Sequence, residues 1–158
     1  MKIAVISDTH DNIWKLAEAV PKLQEADAVI HCGDLCSPFV VKQLGEGLAG
    51  KPVHIVWGNN DGDQRMLAQI AGSYENITIH GELAELVMAE KKIAVNHYPR
   101  VGRALARSGD YHLVCYGHDH TAHEEIIGSS LLLNPGEIMG LNGKSTLAIY
   151  STESGEVQ

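Results

Sequence analysis

The chain reads as an α/β protein of two mixed β-sheets packed face to face with helices outside. Three observations carry that reading. Up to about residue 71, apolar strand-like runs alternate with helical stretches, the pattern of parallel strands joined by crossover helices. Beyond Ile77 the runs come in hairpin-spaced pairs, which demand antiparallel neighbours. Almost every run ends in a glycine or a carboxylate-bearing turn, and ligand-type side chains gather at those ends.

Lys2 to Ser7 is a continuous apolar run, as expected of a strand covered on both faces. Asp11 or Asn12 then caps a helix through about Leu23, with Ile13, Leu16, Ala17 and Val20 on its core face and Pro21 disturbing its last turn. Ala28 to Cys32 forms the second strand, ending at Gly33-Asp34. Ser37-Pro38, a cap followed by a first-turn proline, opens a short helix through Leu44. Pro52 to Trp57 is the third buried strand and Asp63 to Ala71 the third helix. Strands follow at Ile77–Ile79, Ala84–Met88 and Lys92–Asn96, the last two paired across a turn near Glu90-Lys91. Pro99 to Ser108 is a helix stopped by Gly109. Leu113 to Tyr116 leads into Gly117-His118-Asp119-His120. Gly128-Ser129 joins His123–Ile127 to Ser130–Leu133 as a two-residue hairpin, and Ser145 to Tyr150 is the final strand.

At 158 residues the chain forms one domain, spanning 1–158, with 44% hydrophobic and 20% charged residues. A net charge of −8 and only 5% aromatic residues weigh against polymeric nucleic acid as a partner, because such binding needs cations on phosphates and rings on bases. Cys32, Cys36 and Cys115 make no even framework, so a reduced, cytoplasmic setting is expected. The Ile3–Ile6 run is too short for a membrane span, and no membrane partner is expected. A homo-oligomer is compatible with the sequence.

The ligand-type residues align by their place in the elements. Asp8 and His10 follow the first strand, Asp34 the second and Asn59 the third; His97 ends the Lys92–Asn96 strand, and His118 and His120 end the next. Open α/β sheets bind ligands beyond the carboxyl ends of their strands. Seven O and N donors at one rim exceed the needs of one tetrahedral ion. They suit two cations about 3.5–4 Å apart that share a carboxylate.

In order along the chain, Asp8-x-His10, Gly33-Asp34, Gly58-Asn59-x-Asp61, His97 and Gly117-His118-x-His120 resemble the calcineurin-like metallophosphoesterases. The length, the opening strand and Asn134-Pro135-Gly136 are most similar to the small bacterial and archaeal phosphodiesterases of that superfamily. The resemblance implies an αββα sandwich. It implies one metal on Asp8, His10, Asp34 and His120 and a second on Asp34, Asn59, His97 and His118, with Asp34 bridging and orienting a shared hydroxide that attacks phosphorus in line. Two divalent ions are the implied cofactor. Mn²⁺ is expected first, and the mixed N/O donors also admit Fe, Zn, Co or Ni. Neutral imidazoles are required at the metals, so affinity falls with pH.

Many members carry histidine after the Gly-Asn pair; this chain has Asn60, which donates a hydrogen bond but delivers no proton at neutral pH. Since general-acid help contributes about 10²–10⁴-fold, esters with good leaving groups are favoured. Asn60 is kept as a catalytic candidate, and Asn12 and Arg100 as substrate contacts, each also explicable as turn, cap or solvated helix residue. Glu137 stands where serine often follows Asn-Pro-Gly. The Asp-Arg pair of protein phosphatases is absent after Asp34. The sequence therefore favours hydrolysis of a small soluble phosphodiester. A phosphomonoesterase using the same centre and a non-catalytic interaction scaffold of the same fold are the alternatives; retention of all seven donors speaks against the scaffold.

Overall fold

Long aliphatic runs fold into strands that other layers cover, and the computed structural model, which describes residues 1–158, places them in two sheets. The first half gives β1 (Lys2–Ile6), α1 (Ile13–Leu23), β2 (Ala28–His31), α2 (Pro38–Gly47), β3 (Val53–Ile55), α3 (Gln64–Ala71) and β4 (Ile77–Ile79). The second gives β5 (Leu83–Met88), β6 (Lys91–Asn96), α4 (Pro99–Ser108), β7 (Leu113–Cys115), β8 (His123–Ile127), β9 (Ser130–Asn134) and β10 (Ala148–Ser151). One sheet has the order β10-β1-β2-β3-β4, parallel except for β10; the other has β5-β6-β7-β9-β8, with β6, β7 and β9 parallel and β5 and β8 antiparallel at its edges.

Side-chain alternation along the strands sorts the core into three layers. Ala4, Ile6, Val29, Val53 and Ile55 face α1, α2 and α3, packing on Leu16, Leu23, Val40, Leu44 and Leu67. The opposite faces, with Ile3, Val5, Ile30 and Cys32, meet Ile93, Val95, Leu113, Cys115 and Leu133 of the second sheet. Ala94, Val114, Tyr116 and Leu132 then cover Ala106 of α4. The result is the expected αββα sandwich. Each fully buried Leu or Ile contributes about 1.5–3 kcal/mol, so the stability of the fold resides in these layers and the strand ends are free to carry strain.

Local departures from the sequence reading have plain causes. Ala17 is exposed; the buried stripe of α1 runs through Leu16 and Leu23, with Ile13 and Ala19 partly covered. Pro21 sits inside α1 without ending it, because the chain still turns helically through Leu23. The β5–β6 turn falls at Ala89 and Glu90, both left-handed, one residue before the position expected. Ile77–Ile79 pairs with β3 and so completes the first sheet. Ser145–Leu147 precedes the last strand instead of starting it, since Ser145 Oγ donates to Ile138 O and Thr146 Oγ1 to Pro135 O. No helix is long and apolar enough to cross a membrane.

Candidate metal centre

All parallel strands of both sheets point their carboxyl ends toward one edge of the sandwich, so the loops after β1, β2, β3, β6 and β7 share a rim. Backbone bonds extend the sheets past their formal ends: Asp8 N–H donates to Gly33 O, and Thr9 N–H and His10 N–H to Asp34 O. Two bonds then tie the sheets together, His118 N–H to Asp8 Oδ2 at 3.0 Å and His97 Nδ1–H to Cys32 O at 2.8 Å. Glycine is required where the loops cross. A Cβ on Gly58 would lie 2.1 Å from Asp34 Oδ1, and one on Gly117 would lie 1.9 Å from Ser7 Oγ. Asp8, His10, Asp34, His118 and His120 all adopt positive φ, a conformation that costs non-glycine residues about 1–3 kcal/mol each and collects at functional sites.

Seven side chains converge in two groups. In the first, His10 Nε2 lies 3.6 Å from Asp8 Oδ1, 3.4 Å from Asp34 Oδ2 and 3.2 Å from His120 Nε2, and His120 Nε2 is 3.3 Å from Asp8 Oδ1. In the second, His97 Nε2 lies 3.5 Å from Asp34 Oδ2, 3.0 Å from Asn59 Oδ1 and 3.2 Å from His118 Nδ1, which is 2.7 Å from Asn59 Oδ1. Asp34 Oδ2 belongs to both. Donors about 2.0–2.2 Å from a tetrahedral ion stand about 3.3–3.6 Å apart. The first group, at 3.2 to 3.6 Å, has that spacing, and the second, at 2.7 to 3.5 Å, is drawn closer together.

The chemistry of the donor set fits a cation as well. His97 gives its Nδ1 proton to Cys32 O and His120 gives its own to Glu137 Oε2, leaving Nε2 of each as a lone pair aimed into the cluster. Carboxylate oxygens and the Asn59 carbonyl oxygen face those lone pairs. Asp8 Oδ1 is buried with no hydrogen-bond partner. Converging acceptors repel unless a positive charge lies between them.

The profile of the calcineurin-like phosphoesterase superfamily domain matches residues 1–155. A phosphodiesterase of Methanocaldococcus jannaschii is 33% identical, with 99% of this chain and 96% of that protein covered. The chain belongs to the calcineurin-like phosphoesterase superfamily. The solved structure of an archaeal phosphodiesterase superposes with a TM-score of 0.92 at 32% identity, covering 100% of this chain and 98% of the other. A probable metallophosphoesterase of Bacillus subtilis, YsnB, is 32% identical over 87% of this chain and 75% of its own length. Vps29 of Entamoeba histolytica, solved with Zn²⁺, shares the fold at 18% identity and a TM-score of 0.62 over 100% and 96% of the two chains.

This calcineurin-like phosphoesterase holds opposite charges at its rim. Burial pushes the Asp34 carboxyl up, but the adjacent His97 imidazole and hydrogen bonds from Asn60 outweigh it and hold the group below the ordinary carboxylate range. Asp8 is lowered in the same way, with the His10 contact overcoming burial. The neighbouring Asp8 carboxylate raises His10, and Asp34 raises His97 against its burial. Burial, reinforced by Asp11, Asp34, Asp61 and Asp8, pushes the Cys36 thiol up to about 12, so it faces His10 Nδ1 at 3.5 Å as a neutral thiol.

The remaining candidates are placed as follows. Asn60 donates its backbone N–H to Asp34 Oδ1 and its side-chain amide to Oδ2, clamping that carboxylate. Asn12 caps α1 through Lys15 N–H and donates to Met139 O. Arg100 is exposed on the first turn of α4, and Arg103 pairs with Glu125. Three supports escaped a role in the sequence reading. Asp61 accepts from Leu35 and Cys36 N–H through Oδ1 and from Gly58 and Asp34 N–H through Oδ2. Asn134 donates to Gly117 O and Asp119 Oδ1, bracing the His118–His120 loop. Glu137 reaches His120. Asp61 and Asn134 are short polar residues near the glycines Gly58 and Gly136, the signature of side chains that organise turns.

Beneath the rim, His31 is fully buried, accepting from Gly33 N–H through Nδ1 and meeting Thr9 Oγ1 through Nε2. Burial lowers it to about 4, so its neutral form belongs to the folded state. Its contribution is complete above the unfolded histidine value of about 6.5 and is lost as pH falls from there toward 4. We expect His31→Gln to flatten the decline in denaturant stability between pH 6.5 and 4; an unchanged slope would contradict the assignment.

Proposed function

We propose that this chain is a binuclear metal-dependent phosphodiesterase acting on a small soluble phosphodiester. The observation that carries the reading is the shared oxygen: Asp34 Oδ2 lies within 3.5 Å of imidazole nitrogens from both groups. The 33% identical relative named a phosphodiesterase supports the ester class. Asp8, His10, Asp34 and His120 would hold one divalent ion, and Asp34, Asn59, His97 and His118 the other. Ions so bound supply an activated water for in-line attack and positive charge for the phosphoryl oxygens.

The chain's own residues do the rest. Asp34, clamped by Asn60, keeps one oxygen facing both groups. His97 and His120 are locked in the tautomer that presents Nε2. With two carboxylate ligands against two dications, the rim becomes positive and admits a phosphate anion to a protein of net charge −8. Asn60 cannot protonate a departing oxygen, which favours esters whose leaving group needs no acid. Raised His10 and His97 mean that protons compete for the ligand positions, so cation affinity falls as pH drops through their values.

The test is hydrolysis of bis(p-nitrophenyl) phosphate by protein loaded with Mn²⁺, with and without chelator, beside p-nitrophenyl phosphate as the matched monoester. Turnover of the diester that the chelator abolishes is the expected result. Equal rates with and without chelator would overturn the metal reading, and preference for the monoester would overturn the diester assignment.

A further inference from the structure

Glu137 is not among the seven donors, yet it is only 2% exposed and lies against one of them. Its Oε2 is 2.5 Å from His120 Nδ1, and its Oε1 accepts from Asn142 N–H at 2.6 Å. The segment carrying it is fixed to the rim. Ile138 N–H donates to Ser7 O and Met139 N–H to Asp8 O, so the residues after Glu137 pair with the backbone of a candidate ligand. Gly136, at a φ of +81°, makes the turn that permits this; a Cβ there would meet Thr146 Oγ1 at 2.1 Å.

The two donor groups differ in this respect. His97 gives its outer proton to a neutral carbonyl, that of Cys32, and His10 Nδ1 faces only the Cys36 thiol. Only His120 has a buried carboxylate behind it. A carboxylate on the far nitrogen of a metal-binding imidazole fixes the ring and makes the facing nitrogen a stronger donor.

We infer that Glu137 is a positioning residue that makes the Asp8–His10–His120 group the tighter of two cation sites. It holds His120 with Nε2 turned to Asp8 Oδ1 and His10 Nε2, 3.3 and 3.2 Å away. The inference rests on the binuclear reading above and adds an order of affinity to it.

The experiment is calorimetric titration of metal-free protein with Mn²⁺, comparing wild type, Glu137→Gln and Glu137→Asp, with apo thermal melts to confirm folding. Wild type is expected to show two steps of unequal affinity. Glu137→Gln weakens the tighter step by about 10–100-fold and leaves the other, and Glu137→Asp recovers part of the loss. In a His120→Ala background the Gln substitution has no further effect. Two wild-type steps left unchanged in folded Glu137→Gln would overturn this inference alone, as would an equal loss in the His120→Ala background. Wild type that takes up no Mn²⁺ would overturn the proposed function with it. Should Glu137→Gln not fold, nitrogen-15 NMR of wild-type imidazoles decides: His120 protonated at Nδ1 supports the inference, and protonation at Nε2 overturns it.

Discussion

Asp34→Asn is expected to remove diester hydrolysis while leaving the fold in place. Its Oδ2 reaches both donor groups, 3.4 Å from His10 Nε2 and 3.5 Å from His97 Nε2. An amide at that position carries no charge and offers either a weaker oxygen or an NH₂ group that repels a cation. Loss of one preorganised electrostatic group costs about 10²–10³-fold in catalytic systems. Here the loss should be larger, because one substitution affects both groups. The fold should survive, since the Asn60 backbone N–H can still reach a carbonyl oxygen and the aliphatic layers are untouched. His97→Ala should act similarly on the second group alone. Kinetics with elemental analysis and circular dichroism on the same samples check this; wild-type turnover with full metal content in either variant would contradict the site assignment.

Asp61→Ala is expected to damage stability and activity together. The Asp61 carboxylate collects four backbone N–H groups, those of Asp34, Leu35, Cys36 and Gly58, at 2.6 to 3.3 Å. It therefore pins the loop after β2 to the loop after β3. Each buried donor left without a partner costs about 1–3 kcal/mol. With water reaching the more open positions, a total of about 3–5 kcal/mol is expected, a large share of a domain's usual margin of about 5–15 kcal/mol. Asn59 and Asp34 would move apart, so turnover should fall even at temperatures where the variant stays folded. Asp61→Asn keeps one oxygen and should lie between the two. Denaturant unfolding and low-temperature kinetics measure both effects, and a stability within about 0.5 kcal/mol of wild type, the range of an ordinary surface substitution, would refute the bracing role.

Much of this molecule is legible in its sequence, and the reason is local. β1, β2 and β3 are apolar runs with no competing helical period, so strand type followed from covalent chemistry and burial. The ligand-type side chains sit immediately after those runs, and parallel connectivity brings strand ends together without further information. What remained hidden is what depends on distance. Nothing in the Ile77–Ile79 stretch indicates which sheet it joins; that is settled by β3 offering an unpaired edge. Ala17 carries too little apolar surface to hold its face inward. The bracing role of Asp61 is not legible from its motif, because three of its four partners are backbone groups 25 to 27 residues away. Asn60 reads from the sequence as a catalytic candidate, whereas in the fold its partner is the carboxylate of Asp34.

The central claim is that two cations lie on either side of Asp34. Anomalous diffraction from Mn²⁺-soaked crystals tests it most directly. The account predicts two peaks about 3.5–4 Å apart, one beside Asp8, His10 and His120, the other beside Asn59, His97 and His118, with Asp34 between them. A single peak, or peaks away from these residues, would contradict it.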